Sequence, residues 1–294
     1  MLAQGEKDGG ALLVFDTGGT PQGAALAARA ARKAKAAVIL GPVFALEVPA
    51  VLAAVGTALP VLTFSNDEAL VESGAFLFGI TARQTVTAVL AYAARRGVRR
   101  VAVGGAEQGW GGQARAAALG MAGELGLEVQ QLSAGEPGSF AFPPGTSADL
   151  LPDALLMPDA ASLARLAPGL VAQGVQPLGA FQGLDVGTDQ LRSLEGAWLA
   201  APDPARYAGF ARAFEERNGS RPGAITCLAY DAANIVNQMR LGGGIDRSAL
   251  LVGTGFKAIC GNVRFREDGS ATRALAILAV SNGGLRSATG PGGA

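Results

Sequence analysis

The sequence predicts an α/β protein built from two doubly wound domains, each a parallel sheet with helices on both faces. Short aliphatic runs alternate with Ala-rich amphipathic stretches along the chain, as expected where strands alternate with helices. A length of 294 residues suits about two domains. Two such series are visible, one before about Gly97 and one after it.

The predicted strands are apolar runs that end at Gly, Pro or polar residues. They are short and almost wholly aliphatic, which is typical of strands buried on both faces of a parallel sheet. In chain order they cover residues 11–15, 36–40, 60–64, 76–80, 100–103, 127–132, 154–157, 177–181 and 196–200.

The predicted helices follow these strands. The first is expected at residues 22–35, with Thr20 as its N-cap and Pro21 at its first position. The helix that ends near residue 96 is closed by Gly97. The helices after the first are expected at residues 46–55, 85–96, 112–125, 162–173, 204–217 and 225–241, with another opening at residues 65–67.

The end of the chain predicts an antiparallel pair of strands. The two strands are expected at residues 261–266 and 275–280, and the Asp-Gly pair within residues 267–270 is a hairpin signal. Two further segments are expected to lack regular structure. Residues 135–152 are rich in Gly, Pro and Ser and predict a loop, and residues 287–294 predict a frayed tail.

Composition excludes several classes of protein. A hydrophobic fraction of 49% with 16% charged residues excludes an intrinsically disordered chain. Lys plus Arg and Asp plus Glu are 24 each, so the basic excess of a nucleic-acid-binding protein is missing. Histidine is absent, which excludes Ser-His-Asp and Cys-His nucleophile systems and His-containing zinc sites. No apolar run approaches the roughly 20 residues that span a bilayer.

The first residues and the two cysteines leave the compartment open. No basic segment followed by an apolar one is visible at the start, so no signal peptide is predicted. The chain is therefore either cytoplasmic or a form that lacks its leader. Cys227 and Cys260 lie far apart without a CxxC motif. Two buried thiols are the favoured interpretation, and a disulfide is the alternative.

One glycine motif resembles a cofactor fingerprint but does not fit it. Residues 109–114 read GxGxxA and open a predicted helix. A dinucleotide site needs its first Gly directly at the end of a strand, and residues 104–108 intervene here. No GxxxxGK[ST] phosphate loop and no DxDxDG-type calcium loop is present. No cofactor, no metal and no catalytic residue are expected.

Polar and aromatic residues at the carboxyl ends of the predicted strands are the candidate ligand-binding residues, because open α/β sheets bind ligands there. Ser65, Asn66, Asp67 and Asp159 either cap helices or meet a ligand. Trp110 is either a packing residue or an exposed aromatic wall for a ligand, and the wall is the favoured interpretation. For three other candidates the alternative to ligand binding is a structural role. Phe44 and Tyr230 would then belong to the core, and Gln182 would be a loop residue. The full set is Pro42, Phe44, Ser65, Asn66, Asp67, Trp110, Asp159, Gln182, Asp185 and Tyr230.

Several segments resemble the type I periplasmic binding protein superfamily. These are VFDTGGTP at residues 14–21, ILGPVF at 39–44 and PVLTFSND at 60–67. Their order is that of the leucine/isoleucine/valine-binding branch, whose members are extracellular ligand-binding receptors. The segments GPxF and FSND, AYDA at residues 229–232 and GNVRFREDG at 261–269 resemble the LppC-like penicillin-binding protein activator group more closely.

The resemblance implies two Rossmann-like lobes with a ligand cleft between them and three crossovers near Gly97, Pro202 and Gly261. Lobe 1 is expected to comprise residues 1–97 and 203–260, and lobe 2 residues 98–202 and 261–294. The implied protein is periplasmic and non-enzymatic, and it closes on its ligand by hinge motion. It binds a small polar ligand or a cell-wall synthase. Alternatively, it is the solute-binding subunit of an ABC importer for amino acids or related solutes and docks on a permease.

The sequence departs from the implied family in three places. The loop after the second family strand has Val43, Phe44 and Ala45 where amino-acid binders use a hydroxyl residue. Gln182 is neutral near the position of a carboxylate that would meet a ligand ammonium, and burying an unpaired ammonium costs several kcal/mol. The strand and helix with which family members begin are not visible before residue 11, which predicts an open sheet edge.

Overall fold

The computed structural model describes residues 12–132, 151–181 and 188–288. The helices are α1 Pro21–Lys33, α2 Val48–Val55, α3 Ala82–Arg95, α4 Gly109–Leu125, α5 Ala160–Ala172, α6 Thr188–Ser193, α7 Pro204–Asn218, α8 Ala224–Leu241 and α9 Arg247–Leu250. The strands are β1 Ile39–Leu40, β2 Val61–Thr63, β3 Phe76–Leu77, β4 Arg100–Val103, β5 Glu128–Gln131, β6 Ala154–Met157, β7 Gln176–Gly179, β8 Trp198–Ala201, β9 Val263–Phe265, β10 Ala271–Arg273, β11 Ala276–Ser281 and β12 Gly284–Ser287. The predicted α/β class is confirmed.

The chain divides into two compact units, which are described separately below. The described part of unit 1 lies within Met1–Ile80 and Pro204–Arg273, and that of unit 2 within Thr81–Asp203 and Ala274–Ala294. The chain thus passes from unit 1 to unit 2 directly before α3 rather than near Gly97. Helix α3 belongs to unit 2 because its apolar residues pack in the core of that unit, against β4 and α4.

Unit 1 is built on a three-stranded parallel sheet in the order β1-β2-β3. Neighbouring residues of these strands point to opposite faces, as the twofold repeat of a strand requires. Leu62 and Phe76 pack with α8 on one face, whereas Val61 and Leu77 pack with α1 and α2 on the other. The sheet is therefore covered on both faces, which explains why its strands are almost wholly apolar.

A hairpin of β9 and β10 is attached to this sheet through its turn. The Leu77 N–H donates to the Gly269 carbonyl oxygen at 2.8 Å, and the Glu72 N–H donates to that of Asp268 at 2.7 Å. Gly269 has a φ of +82°, and a Cβ on it would lie 2.1 Å from the Ala75 carbonyl oxygen. Only glycine fits this turn, because the backbone directly before β3 approaches it so closely.

Unit 2 contains a seven-stranded mixed sheet in the order β12-β11-β8-β7-β6-β4-β5. The five strands β4 to β8 run parallel to one another. β11 pairs antiparallel with β8, and β12 pairs antiparallel with β11. Val101 and Leu156 pack with α3 and α4, whereas Ala102 and Leu155 face the second core, which contains α5. Alternate residues therefore serve two separate cores, as in a doubly wound sheet.

The strand predicted at residues 11–15 is wrong for the part that the structure describes. Residues 12–15 belong to no strand. Leu12, Leu13, Val14 and Phe15 are all exposed, and Val14 reaches 86%. The segment has the composition of a strand, but a strand also needs a partner, and β1 is the edge of the three-stranded sheet.

The predicted hairpin is right in its turn and wrong in its second strand. The turn closes β9 onto β10, with Phe265 opposite Ala271. The apolar run that the sequence assigns to this hairpin is β11, which pairs antiparallel with β8 in the other sheet. The chain passes to unit 2 directly after β10, so β11 finds its partner there.

The cysteines are joined rather than free, which corrects the favoured prediction. Cys227 on α8 and Cys260 before β9 form a disulfide, with a Cα–Cα distance of 6.6 Å. Both residues are buried in the core that joins α8 to the hairpin of unit 1. Their separation of 33 residues conceals this proximity in the sequence. Within the described ranges, no helix is long and apolar enough to cross a membrane.

Candidate functional site

The carboxyl ends of β1 and β2 bring two of the predicted segments together in unit 1. The Pro42 carbonyl oxygen accepts hydrogen bonds from the Thr63 hydroxyl at 2.8 Å and from the Phe64 N–H at 2.9 Å. Pro42 is buried, and the peptide bond between Gly41 and Pro42 is cis. The loop that follows β1 is therefore fixed to the residues that follow β2.

Ser65, Asn66 and Asp67 form a tight polar turn after β2. The Ser65 hydroxyl is buried and accepts a hydrogen bond from the Asp67 N–H at 3.1 Å. The Asp67 carboxylate accepts one from the Ala69 N–H at 3.1 Å, where it caps a short 3₁₀ turn. The contact of Asp67 supports its capping interpretation, whereas Ser65 closes a turn and caps no helix. Asn66 is half-buried beside them.

Phe44 is the aromatic residue of this loop and lies largely outside the core. It is 54% exposed, and its ring would lie 3.8 Å from a Cβ on Gly19, so it contacts the segment that leads into α1. Other large apolar residues are exposed on the same two stretches, residues 12–26 and 43–46. We call them the apolar surface of unit 1: Leu12, Leu13, Val14, Phe15, Leu26, Val43, Phe44 and Leu46.

Trp110 lies in the first turn of α4, at the carboxyl end of β4 in unit 2. Its indole N–H donates to the Ala180 carbonyl oxygen at 2.7 Å, directly after β7. The ring is half-buried and packs against the core beneath α3 and α4. Trp110 therefore joins two loops at the carboxyl edge of the sheet, where a ligand wall was predicted. Gln108 precedes α4 without capping it through its side chain.

Asp159 is the N-cap of α5 at the same edge of the sheet. Its carboxylate accepts hydrogen bonds from the Ala161 N–H at 3.2 Å and the Ser162 N–H at 2.8 Å. Burial alone would raise the pKa of Asp159, but the hydrogen bonds from Ser162 and Ala161 outweigh burial and lower it. The predicted capping role is confirmed, and it leaves the carboxylate exposed.

The remaining candidate residues lie elsewhere. Tyr230 is half-buried on α8, and its ring centroid lies 4.8 Å from that of Phe210 on α7. The contact makes Tyr230 part of the helix packing of unit 1. Gln182 and Asp185 lie outside the described residues, as do residues 135–150 of the predicted loop, and residues 151 and 152 belong to no helix or strand.

Unit 1 also contains a buried polar cluster that was not predicted from the sequence. Asp231 on α8 is fully buried, and its two carboxylate oxygens accept hydrogen bonds from the Ile259 N–H at 2.7 Å and the Cys260 N–H at 2.8 Å. Arg273 at the end of β10 is also buried. A sequence signal was available, because Asp231 follows Cys227 by one helical turn and so shares its buried face.

The side chains of this cluster lie as close together as metal ligands do, but their ligand atoms already have other partners. Ligand atoms of Cys227, Asp231 and Cys260 all lie within 4.8 Å of one another. The two sulfurs are bonded to each other, and both carboxylate oxygens already accept backbone N–H groups. The guanidinium of Arg273 adds a positive charge that interacts with Asp231. In this state the cluster holds its own backbone rather than a cation.

Comparison with known proteins agrees with the two-unit α/β architecture. The profile of a family described as periplasmic binding protein matches residues 11–285 of this chain. No curated protein sequence matches the chain. Solved structures do match, and the sequence identities of those reported below are 20% or lower, so these structural likenesses establish the fold alone.

Three of these structures illustrate the range. A putative branched-chain amino acid ABC transporter protein from Rhodospirillum rubrum has a TM-score of 0.74 at 20% identity, covering 92% of this chain and 86% of its own. Leucine-binding protein LivK from Thermotoga maritima has a TM-score of 0.59 at 20% identity, covering 95% and 87%. Full-length LpoA from Haemophilus influenzae has a TM-score of 0.70 at 13% identity, covering 93% of this chain and 52% of its own.

Proposed function

The chain belongs to the periplasmic binding protein family, and from this premise we propose that it is a non-enzymatic, periplasmic protein that acts as an LppC-like activator by binding a penicillin-binding protein. The apolar surface of unit 1 is the observation that carries this proposal. Phe44 and Leu46 are 54% and 58% exposed and lie in the loop and the 3₁₀ turn that follow β1. Clustered exposed apolar side chains are typical of surfaces that bind another protein.

The carboxylates at the strand ends support a protein partner over a free amino acid. An amino-acid ligand would bury its ammonium group, which requires a carboxylate as counter-charge. Asp67 and Asp159 both accept hydrogen bonds from the backbone beside them. The oxygens of both carboxylates thus already hold local backbone, and Phe44 on the loop that follows β1 in unit 1 offers an apolar contact instead.

A binding assay with purified penicillin-binding proteins from the same organism tests this proposal. The wild-type chain is expected to bind one of them saturably, and the double variant Phe44→Asp, Leu46→Asp is expected to bind at least about tenfold more weakly because a charge must then be desolvated. Leu241→Asp is the matched control, since Leu241 is 77% exposed on α8 of the same unit. Absence of wild-type binding, or equal binding by the double variant, would refute the proposal.

The second candidate function is the solute-binding subunit of an ABC importer, which would bind its solute at the carboxyl ends of the strands and dock on a permease. Its support is length, since this chain covers 86% of the Rhodospirillum rubrum protein but 52% of LpoA. The structural neighbours also include a solute-binding protein in complex with benzoate. Thermal-shift titration with leucine and with benzoate distinguishes the candidates. Saturable stabilisation by either solute supports import, whereas no shift together with binding of a penicillin-binding protein supports the activator.

A further inference from the structure

The chain leaves unit 1 for unit 2 after Ile80 and again after Arg273, and one side chain links the two points of departure. The Arg273 guanidinium donates from Nη2 to the Phe78 carbonyl oxygen at 2.6 Å. It also lies 4.9 Å from the centroid of the Phe78 ring. Arg273 ends β10, and Phe78 follows β3, so the cation holds both outgoing segments in one place.

The same guanidinium also forms hydrogen bonds with the loop that carries Cys260 of the disulfide. Nη1 of Arg273 donates to the carbonyl oxygens of Cys260 and Gly261, both at 3.3 Å. The N–H of Cys260 donates to Asp231, and its sulfur is bonded to Cys227. Cys260 is therefore held through its side chain, its N–H and its carbonyl oxygen, and Arg273 connects this anchored loop to Phe78.

The charges of the cluster support this arrangement. Burial lowers the pKa of Arg273 to about 10, partly offset by the charge of Asp231, so the guanidinium stays protonated at neutral pH. Burial also raises the pKa of Asp231, while the two N–H donors and Arg273 oppose that rise. Each charged group depends on its neighbours, so removing one member is expected to loosen the others.

We propose that Cys227, Asp231, Cys260 and Arg273 act together as a redox-sensitive cluster, which we call the exit cluster. It holds in place the two segments by which the chain leaves unit 1. While the disulfide is intact, the loop is fixed and presents its carbonyl oxygens to Arg273. When the disulfide is reduced, the loop loses its covalent anchor on α8, and the segment at Phe78 loses its fixed support. The exit cluster belongs to the fold of unit 1 and does not depend on which candidate function the protein has.

The switching step is ordinary thiol–disulfide chemistry. A dithiol reductant attacks one sulfur as a thiolate, the S–S bond breaks, and a mixed disulfide resolves to the oxidised reductant. Two electrons and two protons pass to Cys227 and Cys260, which become thiols. Reoxidation by a disulfide oxidant reverses the step and returns the electrons. The chemical class of the partner is therefore a dithiol or disulfide.

Hydrogen exchange followed by mass spectrometry tests the proposal on the full chain. Reduction is expected to speed exchange about tenfold at two separate places, the amides of Ile259 and Cys260 and the amides of residues 78–80. The peptides of α1 in unit 1 and of β6 in unit 2 serve as references and should not change. A uniform acceleration across unit 1, or a response at residues 259–260 alone, would overturn the proposal.

Substitutions separate the roles of the members. The double variant Cys227→Ser, Cys260→Ser should match the reduced wild type without any reductant, and Arg273→Met should speed exchange at residues 78–80 in the oxidised protein. Arg264→Met is the matched control, since Arg264 is an exposed arginine on the adjacent strand β9. If Arg273→Met does not fold, Arg273→Lys replaces it, because it keeps the charge but cannot span three carbonyl groups. Unchanged exchange at residues 78–80 in the folded arginine variant contradicts the proposal.

Discussion

A Cβ atom on Gly79 would lie 2.3 Å from the carbonyl oxygen of Ser65. The two residues belong to neighbouring chain segments, one leaving β3 and the other leaving β2. Their backbones approach so closely that no larger side chain fits, and the polar turn at Ser65 is thereby held against the segment that leaves unit 1. The shape of this candidate site thus depends on a glycine that bears no functional group.

Gly79→Ala is therefore expected to destabilise unit 1 by about 2 kcal/mol, because the added methyl group must displace backbone atoms rather than a flexible side chain. Urea unfolding followed by far-UV circular dichroism measures the change. Gly209→Ala is the matched control in the same unit, since Gly209 is exposed on α7 with no atom within 4 Å of the added Cβ. It should be neutral or stabilise by up to about 1 kcal/mol through helix propensity. Equal effects of both substitutions would contradict the steric argument.

Asp231→Ala is expected to destabilise unit 1 by about 3 kcal/mol. The substitution leaves the buried N–H groups of Ile259 and Cys260 without their acceptor and leaves Arg273 without its nearby negative charge. Glu216→Ala on α7 is the control, because Glu216 is exposed and its loss should change stability by less than about 0.5 kcal/mol. Both variants are compared by urea unfolding in oxidising buffer. A loss below about 1 kcal/mol for Asp231→Ala would show that the carboxylate is not needed to hold the loop.

The sequence predicts best those strands in which every residue of an apolar run is buried in the folded protein. β4 and β6 occur at the predicted residues, because a strand buried on both faces is continuously apolar and polar residues mark its ends. Residues 12–15 have the same composition, yet they belong to no strand. Composition reports the tendency to pair but not whether the segment pairs with a strand in the folded protein.

Among the polar residues, contacts between residues close in the sequence could likewise be predicted, whereas contacts between distant residues could not. The cap at Asp159 depends on residues two and three positions further on, so local sequence rules predict it. The exit cluster depends on residues from α8, the loop before β9 and the end of β10, and these meet through tertiary structure alone. A lone Arg at the end of a short strand carries no local signal that its guanidinium is buried.

Trp110→Phe is expected to destabilise unit 2 by about 1 kcal/mol. The phenyl ring keeps most of the packing against the core, but the hydrogen bond from the indole N–H to the Ala180 carbonyl oxygen is lost. Trp198→Phe is the comparison variant, because Trp198 packs edge-to-face on Tyr92 at 4.9 Å and phenylalanine can keep that geometry. Far-UV circular dichroism during urea unfolding measures both. A larger loss for Trp198→Phe than for Trp110→Phe would indicate that ring packing, not the N–H, decides stability at these positions.

The cap at Asp159 gives unit 2 a predictable dependence on acid. The pKa of Asp159 lies below its ordinary value of 3.8, so the folded protein binds a proton at this carboxyl less readily than the unfolded chain does. The stabilisation is thus fully present above the ordinary pKa and is lost as pH falls through the lowered one.

At pH 7, Asp159→Ala should lower stability by about 1 kcal/mol, and Asp159→Asn by a few tenths, because asparagine also caps. The deficit of Asp159→Asn relative to the wild type should shrink as pH falls through the acid range below the ordinary pKa of 3.8. The two tryptophans, Trp110 and Trp198, both lie in unit 2, so tryptophan fluorescence during urea unfolding reports on this unit. A deficit that stays constant across that range would show that the Asp159 carboxylate does not hold the helix through its charge.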